Sequence, residues 1–176
     1  FIPGGFSFGD YLRCGAIAAN SPIMGPVIQF AAKGGYIVGI CNGFQILTEA
    51  KLLKGTLIRN SKLKFVCSVE TLIVENNTMF FTKDFSYAET INLPIAHHDG
   101  NYHAHNDVLK KLEEQNQIVL RYKKNPNGSK NNIAGIVSDN GRIIGMMPHP
   151  ERSVDPRFTS NDGTRFFTSI EKTFAG

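Results

Sequence analysis

The sequence lacks any apolar stretch that approaches a membrane span, and no basic-then-apolar leader opens it, so a membrane or exported protein is not expected. Cysteine is scarce. Cys14, Cys41 and Cys67 make an odd set without metal-ligand spacing, which excludes a disulfide framework and suits the reducing cytoplasm. No Walker A pattern and no Gly-x-Gly-x-x-Gly after a strand is present, so the chain offers no nucleotide cradle of its own. Repeats, linkers and low-complexity segments are absent as well. Charge is modest, at 19% of residues and a formal +4. The densest basic group, Lys51, Lys54, Arg59, Lys62 and Lys64, is interrupted by apolar positions. It reads as a solvated face or a contact for an acidic protein rather than a nucleic-acid patch.

What is present is enough for one globular domain spanning residues 1–176. The 176 residues are 41% hydrophobic, and a domain of this size buries roughly 70% of its unfolded surface. The stretch Tyr36-Ile-Val-Gly-Ile-Cys-Asn-Gly-Phe-Gln-Ile-Leu47 organises the rest. Tyr36 to Ile40 is a short β-branched run that predicts a buried strand. Phe44 to Leu53 has apolar residues at helical spacing. Cys41 falls at the junction with Gly39 and Gly43 on either side, where glycine permits a sharp turn and a close approach by substrate. This is the logic of a nucleophile elbow with sulfur for oxygen. A helix N-terminus there favours a thiolate. Read alone, the cysteine is more readily a small buried hydrophobe, the commoner fate of a free cysteine.

Earlier in the chain, Pro3-Gly4-Gly5 predicts a loop able to present bare backbone N–H groups to a ligand. Ser21-Pro22 predicts a helix with serine as its cap, closed by Gly34-Gly35. Downstream, one or two strands are expected over 63–75 and another over 90–96. Asn106 is expected to cap a helix over 107–115, and Ile118–Tyr122 to form a strand. Asp139-Asn140-Gly141 between apolar runs predicts a hairpin. A final helix is expected from Asp162, burying Phe166, Phe167, Ile170 and Phe174. Strands alternating with helices predict an α/β domain with a central, mostly parallel sheet flanked by helices.

A cysteine nucleophile needs a base and a group that orients the base. His149-Pro150-Glu151 supplies both types within three residues, and in an extended stretch residues i and i+2 share a side. The flanking prolines stiffen the loop.

Taken together, Pro3–Arg13, Gly39–Leu47, Arg59-Asn60 with Phe65–Cys67, Pro94–His97, Gly100–Tyr102, Asn125–Ser129 and Met146–Arg152 resemble the class I glutamine amidotransferases. More narrowly, the chain is similar to the glutaminase subunits of phosphoribosylformylglycinamidine synthases, over essentially its whole length. The resemblance implies a flavodoxin-like fold in which Cys41 is the nucleophile, His149 the base and then the acid, and Glu151 the orienting carboxylate. It implies an oxyanion hole from N–H groups at Gly5 and Asn42, and substrate contacts at Gln45 and Phe65. The substrate is glutamine, and the ammonia goes to a synthetase subunit, with a small third subunit, for de novo purine biosynthesis. The chain itself takes no cofactor or metal, since ATP and Mg serve the partner. The family has a further βαβ portion before the Pro-Gly-Gly loop, so the chain looks truncated at its N-terminus, and it usually has Gly-Glu where His98-Asp99 stand. Two rivals are a cysteine hydrolase of the related peptidase or chaperone type, which tends to carry histidine directly after the cysteine, and a metal-binding protein using His97, His98, Asp99, His103 and His105.

Overall fold

The computed structural model describes residues 1–157 and 159–175. The chain enters beside the first strand: Ile2 bridges Gly39 in parallel, with its N–H donating to Val38 O at 2.8 Å. A loop with a 3-10 turn at Ser7–Asp10 follows, then α1 (Ala16–Ala19) and α2 (Met24–Ala32). Ser21 does not cap α2, because its hydroxyl donates back to Ala18 O at the end of α1. β1 (Ile37–Ile40) is buried at all four positions, as a strand covered on both faces must be. α3 (Asn42–Glu49) starts directly from it and stops earlier than the apolar spacing suggests. Lys51 takes φ +61°, and Leu52 N–H returns to Leu47 O at 3.0 Å while Lys51 N–H bonds Thr48 O. This left-handed closure ends the helix at Glu49, six residues before Gly55.

β2 (Thr56–Ile58), β3 (Val66–Val74), β4 (Thr90–His97), β5 (Asn101–His103), α4 (Asn106–Glu114), β6 (Ile118–Tyr122), β7 (Ile133–Val137), β8 (Ile143–Met146) and α5 (Thr164–Phe174) complete the order. Asn106 lies inside α4 rather than capping it, with His105 as the N-cap. The main sheet runs β1-β8-β7-β6-β3-β4, and β2 and β5 form a separate antiparallel pair. The α/β class stands, but the sheet is mixed rather than mostly parallel. Among the described strands only β1 and β8 pair in parallel, and the other four junctions are antiparallel. Helical crossovers enforce parallel pairing, whereas the hairpins after β3 and β7 enforce the opposite. The β7–β8 hairpin turns where Asp139-Asn140-Gly141 predicts, with Gly141 at φ +72° and its N–H on Ser138 O.

The sheet curls. β4 stands at the far end of the strand order from β1, yet Pro94 O accepts the N–H of His149, in the loop that follows β8. Ala96 O lies 3.7 Å from Cys41 Sγ, at the end of β1. The two edges of the sheet therefore meet at the thiol. The core fills the curl with Leu72, Val74, Ile91, Leu93, Ile95, Val119, Leu120, Ile136 and Ile144. Phe44 stacks on Tyr102 at a centroid distance of 6.0 Å, fastening α3 to the β2–β5 pair. α5 packs Phe166 against Phe81 and Phe85, with centroids 4.9 and 4.6 Å apart. Of its other expected core residues, Phe167 and Ile170 are half-buried and Phe174 is exposed at its C-terminal end.

Candidate active site

Cys41 occupies the turn between β1 and α3 with φ +52° and ψ −105°. L-residues other than glycine rarely adopt such a backbone, and when they do the surroundings must hold it. Its N–H donates to Met146 O at 2.7 Å, and its carbonyl accepts the N–H groups of Phe44 and Gln45 at 3.0 and 3.2 Å. The glycines on either side do a different job from the one expected. Neither has positive φ; the cysteine itself makes the sharp turn. A β-carbon on Gly43 would lie 2.0 Å from Ile2 O, and one on Gly39 would lie 2.5 Å from Leu47 Cδ1. They let α3 press onto the strand layer rather than admit a substrate.

Cys41 is 4% exposed. Burial pushes its thiol up to about 12, against the pull of the Asn42 N–H and the Arg152 charge. The helix N-terminus favours a thiolate, as expected, but desolvation of the charge outweighs it. Burial thus holds Cys41 towards the neutral thiol, so a nucleophilic role for it requires a base.

A candidate base stands beside it. A β-carbon placed on Gly4 would meet both His149 Cε1, at 2.8 Å, and Cys41 Cβ, at 3.5 Å, so Gly4, Cys41 and His149 converge. His149 is buried, and its Nδ1 lies 2.5 Å from Glu151 Oε1. With Nδ1 so engaged, Nε2 is the free nitrogen, buried without a protein partner. Glu151 reaches Nδ1 from a 3-10 turn, Pro150–Arg152, and not from the extended alternation that the sequence suggests. Arg152 Nε lies 3.7 Å from the same carboxylate oxygen.

Asn42 opens α3, and its Oδ1 accepts the Ser7 N–H at 3.3 Å, tying the Pro-Gly-Gly loop to the helix. Gly5 in that loop is exposed at φ +151°, with open space where a side chain would go. Gln45 is buried with both ends of its amide engaged: Oε1 accepts from Asn42 Nδ2 at 2.9 Å, and Nε2 donates to Asp99 O at 2.8 Å. Phe65 stays 43% exposed, tilted on Phe6 at 6.3 Å and edge-on to His98 at 5.5 Å. The histidines disperse. His97 turns inward with Nδ1 on Asn60 Oδ1 at 3.1 Å, and His103 and His105 line a shallow cavity beside α4. Among the described residues, no group of three or more His, Cys, Asp or Glu side chains is arranged to hold a metal. Sequence reasoning missed the parts played by Gly4, Cys14, Asp99 and the carbonyls of Pro94 and Ala96. Gly4 was visible in the Pro-Gly-Gly motif, but a backbone carbonyl on a strand edge leaves no sequence signal.

Residues 1–168 match the CobB/CobQ-like glutamine amidotransferase domain. The chain belongs to this family. As a member of the CobB/CobQ-like amidotransferases it is 51% identical, over 99% of its own length and 78% of the relative's, to phosphoribosylformylglycinamidine synthase subunit PurQ of Roseobacter denitrificans. It is 53% identical to the protein of the same name from a Synechococcus, over the same shares. Among solved structures it resembles a chain of PurLQS from Thermotoga maritima, with a TM-score of 0.90, 47% identity, and 97% of this chain and 76% of that one covered. The fold is also that of the glutaminase domain of Trypanosoma brucei CTPS, at a TM-score of 0.54 and 16% identity, covering 98% of this chain and 70% of that one.

Proposed function

We propose that this amidotransferase is the glutaminase subunit of a phosphoribosylformylglycinamidine synthase, working in the cytoplasm on glutamine. Its ammonia passes to a synthetase subunit, with a small third subunit in the complex. The observation that carries the reading is the meeting of the Cys41 turn with the His149–Glu151 pair, on a chain half identical to proteins that bear this name.

The chemistry follows from the states of the groups. His149 Nε2 takes the Cys41 proton as sulfur attacks the glutamine carboxamide carbon, and Glu151 on Nδ1 stabilises the imidazolium that forms. Negative charge gathers on the former carbonyl oxygen, where the N–H groups of Asn42 and Gly5 are suited to receive it. One such donor is worth about 3 kcal/mol of barrier. His149 then gives its proton to the departing nitrogen, releasing ammonia and leaving a glutamyl thioester. Water, activated by the same imidazole, hydrolyses the thioester to glutamate and regenerates the thiol. The ATP-dependent step that uses the ammonia, with its Mg, is assigned to the synthetase, in keeping with the absence of a nucleotide-binding motif from this sequence.

The experiment is mass spectrometry after incubation with the glutamine-like electrophile diazo-oxo-norleucine. The adduct is expected on Cys41, and Cys41→Ala is expected to abolish both labelling and ammonia release. A label on Cys67, which is exposed, sinks the assignment.

A further inference from the structure

Beyond the triad and oxyanion groups, a ring of hydrogen bonds closes around the first turn of α3. It starts at Ser7, whose N–H reaches Asn42 Oδ1. Asn42 Nδ2 donates to Gln45 Oε1, and Gln45 Nε2 donates to the main-chain oxygen of Asp99. The Asp99 carboxylate returns the ring to the loop where it began, because its Oδ2 accepts the Cys14 thiol, seven residues after Ser7. Arg59 Nε stands 2.7 Å from Asp99 Oδ1, a charge contact rather than an aligned hydrogen bond. Backbone packing reinforces the closure. A β-carbon on Gly15, next to Cys14, would lie 2.8 Å from Ile46 N and 2.9 Å from Gln45 C, so the start of α1 rests directly on α3 at Gln45.

We propose that Asp99, anchored by the Cys14 thiol and the Arg59 guanidinium, is a positioning residue that fixes Gln45 and, through it, the Asn42 end of α3 for turnover. The inference rests on the glutaminase reading above. Gln45 cannot rotate its amide without breaking two hydrogen bonds, and the bond at its far end belongs to a main-chain carbonyl in a polar loop, His98–Gly100. Among the described residues, the hydrogen bond from Cys14 to the Asp99 side chain ties that loop to the α1 side of the site. The Cys14 thiol has a single proton, and its burial between the Asp99 and Asp10 carboxylates holds that proton on sulfur. It is therefore held as a donor to the Asp99 carboxylate. Losing the anchor frees the carbonyl, then Gln45, then the Asn42 side chain that holds Ser7 and the Pro-Gly-Gly loop. The groups displaced are those that meet charge in the transition state, so turnover suffers more than ground-state binding.

The test uses the full-length subunit assembled with its synthetase, assayed with glutamine and in parallel with ammonium chloride. Asp99→Ala and Cys14→Ala are each expected to lower kcat with glutamine at least fivefold, with KM moving less than twofold and the ammonium-supported rate unchanged. Cys14→Ser keeps a donor and is expected to recover at least half of the wild-type kcat. The Asp99→Ala/Cys14→Ala double variant is expected to be no worse than the poorer single one, since both cut the same ring. Equal losses in Cys14→Ser and Cys14→Ala, additive losses in the double variant, or an unchanged kcat in Asp99→Ala each overturn the proposal. Cys41→Ala separates the two readings. If it keeps glutamine-dependent activity, the glutaminase reading fails; if it is inactive while Asp99→Ala is normal, only the positioning role fails.

Discussion

Gly4 lies so close to the His149 imidazole that a single methyl group on it would sit 2.8 Å from Cε1. The ring has little freedom to retreat, since Nδ1 is held by Glu151 and the residue's N–H by Pro94 O. The space that glycine leaves beside His149 and Cys41 is thus part of the geometry of the proposed site.

Gly4→Ala is expected to displace the imidazole and lower kcat at least tenfold while the fold survives, because the loop around it is largely exposed. Steady-state kinetics beside a thermal melt check this. A variant with normal kcat shows that the imidazole yields without consequence.

Glu151→Gln keeps the shape of the 3-10 turn and removes the charge that stabilises the imidazolium. A large fall in turnover with little change in glutamine affinity is expected, the pattern of an interaction needed mainly in the transition state. Unchanged turnover removes Glu151 from the triad.

The raised Cys41 thiol gives a pH signature. Ionisation is held up to about 12 by burial, so the thiolate fraction keeps growing through the alkaline range instead of levelling near neutrality. Alkylation of Cys41 by iodoacetamide is expected to accelerate steadily from pH 7 to pH 10 without a plateau. Peptide mapping of the modified protein reads the rate at this residue alone, and a plateau below pH 8 contradicts the neutral resting thiol.

His97 makes the opposite acid-side prediction. Burial, and then the nearby His149 charge, bring its imidazole from 6.5 to about 4. Below pH 6.5 the unfolded chain binds a proton that the folded chain refuses, so stability falls as pH drops towards 4. The span corresponds to roughly 3 kcal/mol at most. Urea unfolding of His97→Gln is expected to show a flatter profile than wild type between pH 6.5 and 4.5, even if its absolute stability is lower. Parallel profiles overturn this role for His97.

Much of this was legible in the sequence where chemistry is carried by side chains at short range. The thiol between a β-branched run and an apolar helix, the His149-Pro-Glu151 loop and the Asp139-Asn140-Gly141 hairpin are all found where they were expected. What escaped depends on neighbours distant in sequence. Serine caps and apolar spacing misjudged the ends of α2 and α3, because Ser21 finds Ala18 O and Lys51 closes α3 by turning left-handed. Strand direction was misjudged because pairing order is a tertiary property: β3 bonds to both β4 and β6, and no local pattern records that. The glycines around Cys41 were expected to make the turn and admit a substrate, but neither has positive φ and what approaches them is Ile2 O and the Leu47 side chain. The partners of the Gln45 amide also escaped, since one of them, Asp99, lies 54 residues away along the chain.

The outer side of β4 carries one more consequence. A sheet edge with free N–H and C=O groups invites another chain to add a strand. Here the segment after β8 occupies that edge: His149 N–H takes Pro94 O, the Ser160 hydroxyl takes Asn92 O, and the Asp162 carboxylate takes Asn92 N–H. The loop that carries His149 and Glu151 thus also covers the edge that would otherwise invite edge-to-edge association. A variant that loosens this segment is expected to expose the Asn92–Pro94 edge and to self-associate, which light scattering of the purified protein would detect.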